Sequence, residues 1–389
     1  MEEAGRSTTE GLKTFILSRI KEEGAVPFSK FMEWCLYHPQ FGYYRTEREK
    51  IGREGDYYTS PSVHPLFGHL IAKQLSQMGD ILGGKKFEVV EMGGGRGFLC
   101  QDILHWLRDK APSFYKGLHY TLIETGPYLL AEQRKRLSGE EESGKVSWMS
   151  FDTFGEKRPL LKGCFLSNEL VDAFPVHRVM QQRGGLKELH VGQRAGQFEE
   201  RWEKPSDPRI ETYFERMGRP LVEGQKAEVN LGALDWIEKV GQCLHQGFVI
   251  TIDYGYLAEE IYAAYRQEGT FLCYFRHQTS ENAFERLGEQ DMTSHVNFTG
   301  LIRKGEEVGL HFTGLVPQYQ FLMGLGLFQE MESLEGELSE MEGLRLRLTL
   351  KHLLEPEIGM GEVFKVLIQH KGIENPRLDG LRGLREITV

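Results

Sequence analysis

The stretch Phe87–Leu99, FEVVEMGGGRGFL, decides the fold. It runs from a short β-prone segment into an acid, then into four glycines within five residues, then into an apolar run. A strand that opens into glycines and a helix is a building unit of an open α/β sheet, and it brings backbone N–H groups to the carboxyl edge of that sheet. Glycine lets the chain turn there and lets a ligand approach the backbone. A tight strand–helix turn without a ligand is the plainer alternative.

Working outward, the unit repeats. LHYTLIE (118–124), KVSWM (145–149), CFLSNE (164–169) and FVITIDYG (248–255) are short β-prone runs separated by helical or loop segments. They predict strands near 87–92, 118–124, 146–149, 163–168 and 247–253, with HFTGLV (311–316) and FKVLIQHK (364–371) to follow. This is the α/β pattern of parallel strands buried by crossover helices. Upstream, Leu12, Phe15, Ile16 and Ile20, then Phe28, Phe31, Met32 and Leu36, recur at helical spacing, with Pro27 opening the second helix. A further helix is expected over 65–78, one over 293–310, and a long charged one with a solvated face over 327–355. Two stretches break the rhythm: a hairpin from Val176 to Glu200 turning at Arg183-Gly184-Gly185, and an aromatic-rich insertion from Gly255 to Phe298. With no repeat and no disordered linker, one decorated domain is expected rather than two.

The 389 residues carry 47 Lys+Arg against 57 Asp+Glu, a net charge of -10. That balance argues against a wide nucleic-acid footprint. The five cysteines form no C-x-x-C pair and are odd in number, so neither a structural zinc nor a disulfide framework is expected, and a reducing compartment is. The start, MEEAGRSTTE, lacks an apolar signal core, and no run is long enough to span a bilayer. The expectation is a soluble, cytoplasmic protein. No cluster has metal-ligand spacing; His277 and Glu281, four apart, are a pair and not a site. The G-x-S-x-G elbow of hydrolases is missing as well.

Two cofactor classes compete for the glycine loop. A dinucleotide brings a pyrophosphate, which favours a helix N-terminus free of a nearby carboxylate. Here Glu91 stands two residues before Gly93, and E-M-G-G-G-R-G differs from G-x-G-x-x-G. S-adenosylmethionine brings an ammonium, a sulfonium and a ribose but no phosphate, and an acid at the end of the first strand favours that cationic end. The order of residues therefore favours S-adenosylmethionine over NAD. Glu124, ending the second strand, suits ribose hydroxyls in either case; a strand-end surface acid is its alternative. Asp152 follows the third strand, as an adenine acceptor or a loop cap.

The fourth strand ends in Ser167-Asn168-Glu169, followed by Asp172. If the turn is helical, Glu169 and Asp172 share a face, and a carboxylate pair holds a guanidinium in a fork. Capping of a helix is the competing reading. Asp253 ends the fifth strand, as a site acid or as a turn acid facing solvent. The loop Gly52–Pro61, with Gly55, Asp56, Tyr58, Thr59 and Ser60, has the composition of a lid or of a self-packed surface turn. His295, placed near an expected helix start, is a base, a positioning group or a structural histidine.

At this point the chain resembles the MidA-like family of S-adenosylmethionine-dependent methyltransferases, whose mitochondrial members are respiratory complex I assembly factors. The resembling stretches are FMEWCLYHPQFGYY (31–44), GDYYTSPSVHPLFGHLIA (55–72), EMGGGRGFLCQDIL (91–104), SNELVDAFPVHR (167–178), DYG (253–255), GTFLCYFRHQ (269–278) and GEQDMTSHVNF (288–298). They occur in the family's order and span most of the chain. The resemblance implies a Rossmann-like, seven-stranded methyltransferase sheet with an N-terminal helical extension (residues 1–80) and a methyltransferase domain (81–389) carrying insertions at about 176–245 and 255–298. It implies that Glu91, Gly93, Gly95 and Gly97 line the methionine and ribose side. Glu124 would take the ribose, Asp152 would sit near adenine, and Gly55 to Ser60 would cover the cofactor. Asn168, beside the sulfonium, would join Glu169 and Asp172 in facing the methyl acceptor. The family often has Pro where this chain has Gly94, which loosens the loop but keeps its N–H groups.

The mitochondrial branch methylates an arginine of a complex I subunit, so a protein substrate is implied. The start does not resemble a mitochondrial presequence, so a bacterial relative is expected. No nucleic acid or transmembrane segment is expected as partner or anchor, and a homodimer is compatible with the sequence. The competing functions are a small-molecule methyltransferase, a non-catalytic assembly factor retaining the fold, and an NAD-dependent oxidoreductase.

Overall fold

The computed structural model describes residues 2–47, 64–84, 86–157, 161–335, 343 and 363–382. The chain gathers into two compact units, one of Met1–Tyr57, Val171–Trp236 and Gly255–Leu301, the other of Tyr58–Leu170, Ile237–Tyr254 and Ile302–Val389.

The second unit is built on a sheet whose main path has seven strands: β1 (Phe87–Met92), β2 (Leu118–Ile123), β3 (Val146–Trp148), β4 (Leu161–Asn168), β5 (Leu244–Tyr256), β6 (His311–Pro317) and β7 (Phe364–Lys371). Their order is β3-β2-β1-β4-β5-β7-β6. β1 pairs in parallel with β2 and β4, β2 with β3, and β4 with β5. β7 runs antiparallel to both β5 and β6, so it is the one reversed strand of the path. The central strands read as near-continuous apolar runs because both their faces are covered. On one face Val89, Tyr120, Leu122, Leu166, Ile250, Val366 and Ile368 form a core with helices Leu66–Ile81 and Phe98–Lys110. All five strands expected from the glycine loop outward are present, as are the two later ones.

The other unit carries helices Glu2–Glu23 and Phe28–Tyr37, the latter opened by Pro27, and two antiparallel sheets. The expected hairpin is there: His177–Gln182 pairs with Gly185–Arg194, and Gln197–Glu203 extends it. A smaller sheet joins Leu272–Phe275 to Gln278–Ser280 and Asp291–Thr293.

One helix is shorter than expected. The segment expected to be helical over 293–310 forms a strand at Asp291–Thr293 and another at Val296–Asn297, and its helix begins only at Phe298. Val296 and Asn297 pair in parallel with Gly255 and Tyr256, which holds them extended. Of the expected charged helix over 327–355, Leu327–Glu335 is helical, and most of the remainder lies outside the described residues. Its face is not wholly solvated. Glu330 accepts hydrogen bonds from Lys73 Nζ (2.7 Å) and Trp106 Nε1 (2.9 Å) and pairs with His69. Burial opposes its ionisation, but these partners hold its carboxyl down at about 2.

Candidate active site

The sheet order turns back between β1 and β4: β2 and β3 lie on one side of that line, β5 on the other. Such a switch point opens a crevice at the carboxyl ends of the strands, where ligands of α/β sheets bind. Met92 and Ser167 are the last register partners across β1 and β4, so Gly93 and Asn168 follow side by side at the carboxyl edge.

Gly93, Gly95 and Gly97 all have left-handed φ, at 71°, 52° and 81°. A Cβ would also crowd side-chain ends: one at Gly93 would lie 2.8 Å from Leu170 Cδ1, and one at Gly94 would lie 2.9 Å from Leu122 Cδ2. The loop is thus pressed onto the sheet edge, as a ligand reading the bare backbone requires. Beneath it Glu91 is only 2% exposed. Burial pushes its carboxyl up to about 7; the Tyr120 hydroxyl, donating to Oε2 at 2.8 Å, lowers it in part, and Glu124 raises it. A cation settling beside Glu91 would favour its ionised form.

Glu124 follows β2. Its Oε1 accepts the N–H groups of Thr125 (2.8 Å) and Gly126 (2.7 Å). A residue not singled out in the sequence completes this corner. Gln133, fully buried on helix Pro127–Arg136, donates from Nε2 to Gly95 O (2.7 Å) and to Glu124 Oε2 (3.4 Å), and its Oε1 accepts from Trp148 Nε1 (2.9 Å). It ties the glycine loop to the ends of β2 and β3. A lone glutamine in a helical run gives no sequence signal of this, because its partners are distant in the chain.

Asp152 lies in the first turn of helix Phe151–Lys157, which Ser150 opens by accepting the Thr153 N–H (3.1 Å). Its side chain is 86% exposed and 3.7 Å from Lys239.

At the end of β4, Asn168 Nδ2 donates to Glu169 Oε1 (3.0 Å), while Asn168 Oδ1 is buried with no hydrogen-bond partner among the described residues. A buried acceptor without a partner is costly, and a bound donor would satisfy it. Glu169 takes a left-handed φ of 52°, which is uncommon for a residue with a side chain and clusters at functional sites. Asp253 does not face solvent. It is fully buried, with Oδ2 accepting the Leu170 N–H (3.2 Å) and Oδ1 the Tyr254 N–H (2.9 Å).

The turn after Glu169 is not helical, so Glu169 and Asp172 share no helical face. The left-handed residue interrupts any right-handed turn. Asp172 belongs to the other unit, where it is buried and its carbonyl accepts the Ser294 N–H (3.1 Å). That bond brings the chain beside Asp172 to the one beside His295. His295 does not start a helix; it sits between two short strands, its N–H on Thr270 Oγ1 (3.1 Å) and its ring 5.5 Å from that of Tyr256. Burial, with Arg266 adding to it, lowers its pKa to about 4, so it is neutral at neutral pH. Gly55, Asp56, Tyr58, Thr59 and Ser60 lie outside the described residues.

Residues 66–316 match a family model described as "Putative S-adenosyl-L-methionine-dependent methyltransferase". The chain belongs to this methyltransferase family. The methyltransferase is 26% identical to the mitochondrial "Protein arginine methyltransferase NDUFAF7 homolog" of Drosophila melanogaster, over 93% of this chain and 85% of that protein. It is 24% identical to the protein arginine methyltransferase NDUFAF7 of Homo sapiens, over 93% and 84%. Among solved structures, a COG1565 superfamily member from Burkholderia thailandensis bound to S-adenosyl-homocysteine superposes with a TM-score of 0.86, at 27% identity, covering 98% of this chain and 96% of that one. The methyltransferase therefore uses S-adenosyl-L-methionine, and the NAD reading falls away. The residues fit that cofactor: buried and half-buried carboxylates at 91 and 124 suit an ammonium and a ribose. Arg96, the one cation of the glycine loop, is 3.1 Å from Glu132. Among the described residues no helix is long and apolar enough to cross a membrane, and no group of three or more His, Cys, Asp or Glu could hold a metal.

Proposed function

We propose that this methyltransferase modifies an arginine guanidinium of a protein, with Asn168 and Glu169 facing the acceptor. The observation that carries the proposal is the end of β4. There a carboxylate in a strained backbone conformation, oriented by its neighbour's amide, stands beside the glycine loop at the switch point of the sheet. The names of the relatives point to the same acceptor.

When bound, S-adenosylmethionine supplies a methyl group on a positively charged sulfur. Glu91 would balance the ammonium of its methionine part, and Glu124 would accept the ribose hydroxyls. Glu169 would hold the guanidinium through charge-assisted hydrogen bonds and fix which nitrogen points at the methyl group. As the N–CH₃ bond forms and the S–CH₃ bond breaks, with the electron pair of that bond left on sulfur, the guanidinium nitrogen would give up a proton to Glu169. Most of the acceleration would come from position and electrostatics.

By family resemblance, a respiratory complex I subunit is the first acceptor to try. The test supplies tritiated-methyl S-adenosylmethionine and the proteins of a source strain lacking this gene. Label should enter protein and be released on hydrolysis as methylarginine. Glu169→Gln should cut incorporation by about a hundredfold, the usual scale for a positioned acid–base group, and leave S-adenosylhomocysteine affinity within about twofold. Label confined to small molecules would exclude a protein acceptor. Label on another amino acid would exclude arginine.

A further inference from the structure

We propose that Asp253 is a positioning residue for methyl transfer, one that sets the Glu169–Leu170 turn from the neighbouring strand. The proposal rests on the reading that Glu169 faces the acceptor.

β4 and β5 run in parallel register as far as Asn168 and Ile252. The Glu169 N–H still reaches Ile252 O (2.9 Å), after which the left-handed φ of Glu169 takes the chain off the ladder. The next donor, the Leu170 N–H, would then lose its strand partner. Asp253 supplies one from its side chain: Oδ2 accepts Leu170 N–H at 3.2 Å while Oδ1 accepts Tyr254 N–H at 2.9 Å. The carboxylate thus bridges the first amide beyond the turn to the backbone of β5. Asp253 is itself held between strands, since it is a register partner of Lys365 on β7 and is fully buried.

Glu169 directly precedes the clamped amide, so this turn sets the residue that faces the acceptor. Asp253 needs to reach neither cofactor nor acceptor to act in this way.

Both amides require an acceptor, so the discriminating change is Asp253→Asn, which keeps the shape but turns an NH₂ toward one of the two N–H groups. Methyl incorporation into proteins of the gene-deleted strain is measured for the parent, Asp253→Asn, Glu169→Gln and the double variant. Asp253→Asn should lower turnover about tenfold, the scale of a small misplacement of a reacting group. S-adenosylhomocysteine affinity should stay within about twofold, and in the Glu169→Gln background no further loss should appear. A structural role alone would slow both backgrounds by the same factor, and that result, or parental turnover in Asp253→Asn, would overturn the proposal. If Asp253→Asn does not fold, Asp253→Glu keeps the charge and displaces the carboxylate by one methylene, with the same expectations. If the parent itself transfers no methyl to protein, the acceptor reading has failed. Crystals of the parent and the variant with S-adenosylhomocysteine then decide the positioning separately: an unchanged Glu169 φ and Leu170 N–H contact would refute it.

Discussion

At the scale of single residues, Glu91 is the most informative group. An exposed glutamate titrates near 4.5, and burial has moved this one to about 7. Between those values the folded chain keeps a proton that the unfolded chain has lost. The stability from this group is therefore complete below about pH 4.5 and is lost as pH rises through 7, by about 3 kcal/mol in all. Urea titrations of the free protein should show that fall, and Glu91→Gln should flatten it. If Glu91 meets the cofactor's ammonium, binding must ionise it. Calorimetry with S-adenosylhomocysteine at pH 6.5, in two buffers of different ionisation enthalpy, should then report proton release that Glu91→Gln abolishes. Equal enthalpies in the two buffers would remove Glu91 from the ammonium site.

At the scale of elements, the corner between the glycine loop, β2 and β3 depends on Gln133. Gln133→Leu would leave Gly95 O and Trp148 Nε1 without their partner. Losses of that kind cost about 1–3 kcal/mol each, so a destabilisation of about 2–6 kcal/mol is expected in urea unfolding, together with weaker S-adenosylhomocysteine binding. Unchanged affinity would mean that the loop holds its shape without this tie. A second test concerns close packing of strands. A Cβ on Gly163 of β4 would lie 1.9 Å from Glu88 O on β1, whereas one on Gly139, in the short helix Ser138–Glu142, meets nothing within 4 Å. Gly163→Ala should prevent soluble folding. Gly139→Ala should be neutral or stabilising by up to about 1 kcal/mol.

At the scale of the whole molecule, the five cysteines are free and all buried, and burial raises the pKa of each. Thiolates do the reacting, so all five thiols should resist alkylation at pH 8 in the folded protein and react together on unfolding. Rapid labelling of one cysteine would reveal an opening of its unit below the global unfolding energy. The two units also divide the residues expected to be catalytic. Asn168 and Glu169 belong with the parallel sheet, while Asp172 and His295 belong with the antiparallel one.

The parallel sheet, its strands to within a few residues, and the cofactor class are legible in the chain's local patterns. Those follow from local signals: apolar runs at strand length, turn residues between them, and Glu91 two residues before Gly93. The sequence also put Asn168 and Glu169 at the sheet's carboxyl edge, where polar residues straight after a buried strand land. Only the tertiary structure decided how the site is held. Gln133 reaches Gly95 across 38 residues, and Asp253 reaches Leu170 across 83. No local pattern encodes pairs so distant; they form because strands remote in the chain lie side by side in the sheet. Glu169 leaves its strand with a left-handed φ, so the helical turn on which a face shared with Asp172 depended does not form. Pairing with Gly255 and Tyr256 kept Val296 and Asn297 extended, and so moved the helix start beyond His295.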